Sequence, residues 1–378
     1  MPLTPMQQGM LFETIELRRP WTNLQQIVCR LDHPLDGARF AAAWAAAQAR
    51  HPVLGARFDW RGGNEPHLLL PVEPEPVPTT ELDWTAADDV EGDLRSWLQA
   101  DRRHGVDPQR APVQRLGVFH LAGGRTIVVW TFHHALLDGR SFTRVLEDVF
   151  DHYDTGALSS PEGETTFAAH ARAVAERSVD DEQTYFEQLL KGLAGPTELP
   201  IERAIRSSEP GPHVTDEVQL APDATDALRQ LAEGTGTTLY TCVLGAWALL
   251  LGRYGRTTDV VFGSTRSGRH VLPATENTAG CLINTVPTRV DVTPGQTVAQ
   301  LLQTIRSDQI AVRPFEQTAL VDATASVPVP PGTALLSTNV VFERYLMDRH
   351  LQARGGAWGE RRFEVLEEGG FDLSLAGY

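Results

Sequence analysis

Residues 126–153 read TIVVWTFHHALLDGRSFTRVLEDVFDHY, and the way this stretch divides decides the fold. Its first seven residues are β-branched and aromatic with no turn former among them, the composition of a buried strand. His133 and His134 follow at the strand's C-terminal end. Successive side chains on a strand point to opposite faces, so adjacent histidines do not share one cavity while the strand continues. One is expected to face chemistry and the other packing. Asp138 and Gly139 then make a turn, Ser141 is the expected N-cap, and Phe142, Val145, Leu146, Val149, Phe150 and Tyr153 recur at helical spacing. The unit is strand, polar turn, amphipathic helix.

At 378 residues the chain is longer than a single core usually supports, so two subdomains are expected. Hydrophobic residues at 42% are enough for both cores. The net charge is −16 and Lys191 is the single lysine, which argues against nucleic acid or an anionic membrane as partner. Cys29, Cys242 and Cys281 lie far apart in apolar stretches, as buried free thiols in a reducing compartment do. No apolar run reaches membrane-spanning length and no basic-then-apolar leader is visible, so a cytoplasmic protein is expected.

Upstream, Thr4, Pro5 and Gln7 form a capping box around the start of a helix, with a strand near 26–31 and a helix over 36–50 stopped by His51-Pro52. Residues 70–80 are proline-rich and read as loop or edge, followed by a helix over 86–103. Residues 113–120 and 126–133, joined at Gly123-Gly124, read as a hairpin. Helices are expected at 165–177 and 181–193 within a linker region spanning 155–212, with the boundary near Asp180. The halves are therefore 1–180 and 181–378.

The second half opens with an expected strand at 214–220 and a helix at 223–233. An almost wholly apolar helix follows at 237–254, expected to be buried on most sides. Over 259–269 a strand runs into a glycine-rich polar turn, and a second strand follows at 280–290, with a helix at 298–313. Further strands are expected at 335–345, 363–366 and 371–378.

His133-His134-Ala135-Leu136-Leu137-Asp138-Gly139 fits His-His-x-x-x-Asp-Gly, and here the chain resembles the condensation domains of nonribosomal peptide synthetases. The opening stretch from Pro2 is similar to a motif of that family, as are His51-Pro52-Val53-Leu54, the region of Asp107, Pro112 and Arg115, the run from Gly236 through Val290, and Pro314-Phe315-Glu316. Gly55 and Arg313 stand where arginine and tyrosine are more usual.

The resemblance implies an α/β fold of two chloramphenicol-acetyltransferase-like subdomains in a V-shaped pseudo-dimer, with the histidine motif at their interface in a tunnel. It implies no cofactor bound by the chain itself, substrates carried on the phosphopantetheine of peptidyl or acyl carrier proteins, and an amine or alcohol as the small-molecule acceptor. His134 matches the active-site histidine, acting either as a base or as a group that orients the acceptor. His133 is expected in support. Gly139 is expected to let the chain turn tightly or to offer its N–H to the developing oxyanion. The family's aspartate, here Asp138, pairs with an arginine of the second half that Arg269 best matches. Arg140, Asn284 and Asn339 are candidate tunnel residues, against plain readings of a solvated arginine and two structural amides. In this family the strand at 371–375 is normally followed by a further strand and closing helices, so apolar surface is expected open on the helices at 237–254 and 298–313.

No metal site is expected, since adjacent histidines share no face and no His-Glu-x-x-His or paired-cysteine spacing occurs. A thioester already carries a good leaving group, which agrees with the absence of a Gly-x-Ser-x-Gly elbow. Two other readings compete: an acyltransferase of the same fold with a coenzyme A donor or alcohol acceptor, and a catalytically silent module that docks carrier proteins. The motifs after Gly236 weigh against the first, and the intact His134, Asp138 and Gly139 against the second.

Overall fold

The computed structural model describes residues 1–378 apart from 18, 20, 61–65, 159–164, 200–214, 330–332, 344–345 and 368–369. The first half contains α1 (Pro5–Leu17), β1 (Leu24–Leu31), α2 (Gly37–Arg50), β2 (Arg57–Asp59), β3 (His67–Leu69), β4 (Thr79–Trp84), α3 (Val90–His104), β5 (Gln114–Leu121), β6 (Thr126–His133) and α4 (Gly139–Thr155). Then come α5 (Phe167–Ala175), α6 (Val179–Leu190), α7 (Pro222–Gly234), α8 (Leu239–Gly255), β7 (Asp259–Arg266), β8 (Asn284–Asp291), α9 (Val298–Ala311), α10 (Leu320–Thr324), β9 (Thr338–Phe342), α11 (Met347–Gln352), β10 (Arg361–Glu367) and β11 (Leu373–Gly377).

β6 is central to a sheet ordered β10-β1-β6-β5-β4. All its residues are buried because both faces of the sheet are covered, which is why the run lacks apolar–polar alternation. Val128, Trp130 and Phe132 meet α2 and α4, with Trp130 edge-on to Trp44 at 5.0 Å between ring centroids. Ile127 and Val129 face the other way, into a core shared with Phe119 and Leu94 of α3. Asp36 caps α2 by accepting from Arg39 N–H, and Phe40, Trp44 and Gln48 form its buried stripe. β4 lies parallel to β5 at the sheet's edge, a strand the sequence reading did not assign beyond the loop or edge at 70–80. Its alternating polar residues and proline-rich approach conceal a strand whose face is half exposed.

The second sheet runs β11-β9-β7-β8, with α8 and α9 on one face. α8 is buried on one side only: Leu249 and Leu250 are 48% exposed and Tyr254 61%. The expected burial on most sides therefore fails, and on α9 Val298 and Ile310 are likewise open. Residues 215–220 form no strand, and Val214 lies outside the described residues. No single helix among the described residues is long and apolar enough to cross a membrane.

A division at residue 180 separates the two strand sets except at one place. β10 pairs with β1, so the chain returns from the second sheet to the first. Charge and aromatic packing hold it there. Arg361 is fully buried, donates to both carboxylate oxygens of Asp154 at 3.0 and 2.7 Å, and lies over the Phe150 and Trp358 rings. Arg354 adds contacts to Glu147 and Asp151 of α4. Removing one partner of a buried pair leaves a charge without compensation. Arg361→Ala is expected to lower unfolding free energy by about 3 kcal/mol, read as a shift in the urea midpoint. An unchanged midpoint would show that β10 is held by backbone pairing alone.

Candidate functional site

β6 delivers His133 into the interior and releases His134 at the turn, and the hydrogen bonds assign each ring a tautomer. Ala135 N–H donates to His133 Nδ1 at 3.2 Å, so that nitrogen bears the lone pair. The proton is then on Nε2, 3.1 Å from Thr14 Oγ1, whose own hydroxyl donates to Met10 O at 2.8 Å. Burial, with a smaller contribution from His134, pushes the His133 pKa down to about 3. His133 is thus a neutral structural group whose two nitrogens are both engaged. His134 is arranged the other way. Its Nδ1 lies 2.8 Å from Leu137 O, and since a carbonyl only accepts, Nδ1 carries a proton, which in the neutral ring leaves the lone pair on Nε2. The ring is partly exposed.

Asp138, fully buried, is the N-cap of α4 in place of the expected Ser141. Its carboxylate outcompetes a hydroxyl for the first free N–H groups of the helix, accepting from Ser141 N–H at 2.8 Å. The same oxygen accepts from Arg269 Nη2 at 2.8 Å, and the other accepts from Leu282 N–H at 3.0 Å. Arg269 directs its other Nη N–H groups to Thr275 O, Thr278 O and Ser141 Oγ. Asp138 N–H reaches Gly280 O, and Gln7 Nε2 reaches Ala135 O. Gly280 admits no side chain, because a Cβ there would stand 2.2 Å from the Phe167 ring. The histidine turn is therefore bonded into the loops of the second half from several directions. His170 packs beside this latch, fully buried, with its pKa lowered to about 4 by burial and then by Arg269.

Gly139 begins α4 in helical conformation, so it is not needed for a tight turn. Glu343 Oε1 lies 3.0 Å from where a Cβ at this position would sit. The Gly139 N–H is one of the helix's first four, which have no acceptor within the helix. Arg140 is exposed on that first turn. Asn284 donates to Glu316 O and Thr318 O at 3.0 and 2.7 Å, so it ties strand to loop. Asn339 is buried and its Oδ1 has no partner among the described residues. Sequence reasoning missed Glu343, Thr14 and the backbone of Leu282. Alternation along β9 from Asn339 would have pointed to Glu343; nothing local marks the other two. Among the described residues no three metal-ligating side chains converge.

A match to the Condensation domain family extends over residues 1–378. The chain is 34% identical to a component of the linear gramicidin synthase of Brevibacillus parabrevis, over 99% of this chain and 5% of that protein. It is 32% identical to the chondramide synthase of Chondromyces crocatus, over 88% of this chain and 8% of that one. It thus spans a small fraction of the curated relatives it matches. Among solved structures, the first condensation domain of the calcium-dependent antibiotic synthetase, bound to a substrate analogue, superposes with a TM-score of 0.75 at 21% identity, covering 99% of this chain and 87% of that one. The X-domain from teicoplanin biosynthesis superposes at 0.77 and 23%, covering 99% and 84%. At such identities the likeness establishes the fold, the chloramphenicol-acetyltransferase-like α/β type.

Two outcomes follow from the latch and its histidines. Asp138→Ala is expected to cost about 3–5 kcal/mol of stability in urea unfolding, because it strands Arg269 in a buried site. A loss below about 1 kcal/mol would mean the latch is dispensable. His133 and His170 titrate near 6.5 when unfolded but near 3 and 4 when folded, so over that window the unfolded chain binds more protons. Their stabilising contribution is complete above pH 6.5 and is lost as pH falls toward about 4 for His170 and about 3 for His133. His170→Phe should flatten that part of the melting temperature–pH profile, and an unaltered slope would contradict it.

Proposed function

The chain belongs to the condensation-domain family of nonribosomal peptide synthetases, and from that membership we propose that it joins an acyl thioester on one carrier protein to an amine or hydroxyl acceptor. His134 is the observation that carries this reading: its Nδ1 is committed to Leu137 O, leaving the Nε2 lone pair for substrate. As a neutral amine attacks the thioester carbonyl, a C–N bond forms and the carbonyl π pair moves to oxygen. An N–H proton passes to Nε2. When the tetrahedral species collapses the C–S bond breaks, and the departing thiolate takes the proton back.

The Gly139 N–H, unused by its own helix, is the donor this reading sets opposite the developing oxyanion. No covalent enzyme intermediate is required. Alignment of two substrates is worth up to about 7–11 kcal/mol, whereas one managed proton is worth a factor of roughly 10²–10⁴. Positioning therefore dominates. Phosphopantetheine enters only as the arm that carries each substrate, and the chain's part is to orient the two arms' ends at His134. The fixed tautomer of His134 weighs against a silent docking module, which has no use for a free Nε2.

With an acyl-loaded donor carrier and an aminoacyl-loaded acceptor carrier, the wild-type chain should move the acyl mass from one to the other. His134→Ala is expected to lower the rate by about 10² or more while leaving the fold and a measurable residual rate. An unchanged rate would remove His134 from the mechanism, and no transfer by the wild type with several carrier pairs would remove condensation itself.

A further inference from the structure

His134 is held at three points. Its ring Nδ1 meets Leu137 O, its carbonyl accepts from Leu137 N–H at 3.2 Å, and its own N–H donates to Asn23 O at 2.7 Å. The first two lie within the histidine turn and travel with it. The third comes from outside, one position beyond the last β1–β6 pair, Leu24 opposite His133, and it registers His134 against the first strand.

Asn23 offers that carbonyl from an uncommon backbone. Its φ is +58°, and Leu24 N–H donates to Trp21 O at 3.3 Å, so it stands third in a turn of the kind that needs a positive φ there. Asparagine enters this region more readily than other residues with a side chain, because its short amide can hydrogen-bond locally. Here the amide, in a residue only 7% exposed, donates to Met10 O at 3.0 Å. That same carbonyl accepts from Thr14 Oγ1, the hydroxyl that faces His133 Nε2. One residue thus ties down His134 by its main chain and, through α1, the support of His133 by its side chain.

We propose that Asn23 is a positioning residue for the reaction, fixing His134 by presenting its carbonyl from the left-handed region. The inference rests on the condensation reading above and adds to it a group that acts through His134 rather than on the substrate. Alanine at this position resists a positive φ, and relief of that strain shifts the carbonyl on which the His134 N–H depends. Glycine adopts the same φ freely. Both replacements lose the amide, so a difference between them reports the backbone conformation.

The test compares Asn23→Gly with Asn23→Ala, each well below its melting temperature. Long-range proton–nitrogen spectra should leave the His134 ring nitrogens of Asn23→Gly where the wild type has them and displace those of Asn23→Ala. In acyl transfer between loaded carriers, kcat is expected to fall about tenfold or more in Asn23→Ala with KM nearly unchanged, and Asn23→Gly should stay within about threefold of the wild type. Equal spectra and equal rates for the two variants would overturn the proposal, as would a loss confined to KM. If the alanine variant does not fold, Asn23→Gly decides, because displaced His134 signals in it would overturn the proposal too. The spectra need no turnover. A difference between the variants' ring signals without acyl transfer by the wild type would therefore count against condensation alone, and full transfer by both variants would count against Asn23 alone.

Discussion

The buried pair of Asp138 and Arg269 is the contact on which the rest of the site depends. A carboxylate on the first half and a guanidinium on the second, 2.8 Å apart and both nearly without solvent, each make several further hydrogen bonds. That satisfaction is what makes a buried ion pair tolerable, since desolvation otherwise consumes the Coulombic gain. The pair also determines geometry. Asp138 caps α4, follows Leu137 directly and holds Leu282, so the turn that orients His134 cannot shift without disturbing the junction of the two sheets.

From that fixed turn the two histidines acquire opposite roles by ordinary hydrogen-bond chemistry. The backbone N–H of Ala135 makes His133 an acceptor at Nδ1, and the carbonyl of Leu137 makes His134 a donor at Nδ1. One ring is closed within the protein and the other presents a lone pair. Glu343, arriving from β9 beside Gly139, brings a second sheet's side chain to the same turn. The pair thus brings a ring from one half and an acidic side chain from the other to the same turn.

Much of this was legible in the order of residues. A run as apolar as 126–132 is a strand in a doubly covered sheet, and the loss of alternation announces it. The contrast between His133 and His134 follows from alternation alone. Ser141 misled as the cap because Asp138 competes for the same N–H groups and carries more charge. β4 escaped notice because an edge strand with one solvated face needs no apolar run. That β10 belongs to the first sheet rests on Arg361 meeting Asp154, a contact 207 positions apart that no local pattern encodes. Leu282 is invisible for the same reason, its importance being that tertiary structure brings its backbone to a turn far away in sequence.

The chemistry of the site turns on the tautomer of His134, and long-range proton–nitrogen correlation spectra of the imidazole rings, assigned with a His134→Ala control, read it directly. The prediction for the neutral ring is a proton on Nδ1 and an unprotonated Nε2, opposite to His133. A His134 ring protonated on Nε2, or the same tautomer in both histidines, would contradict it.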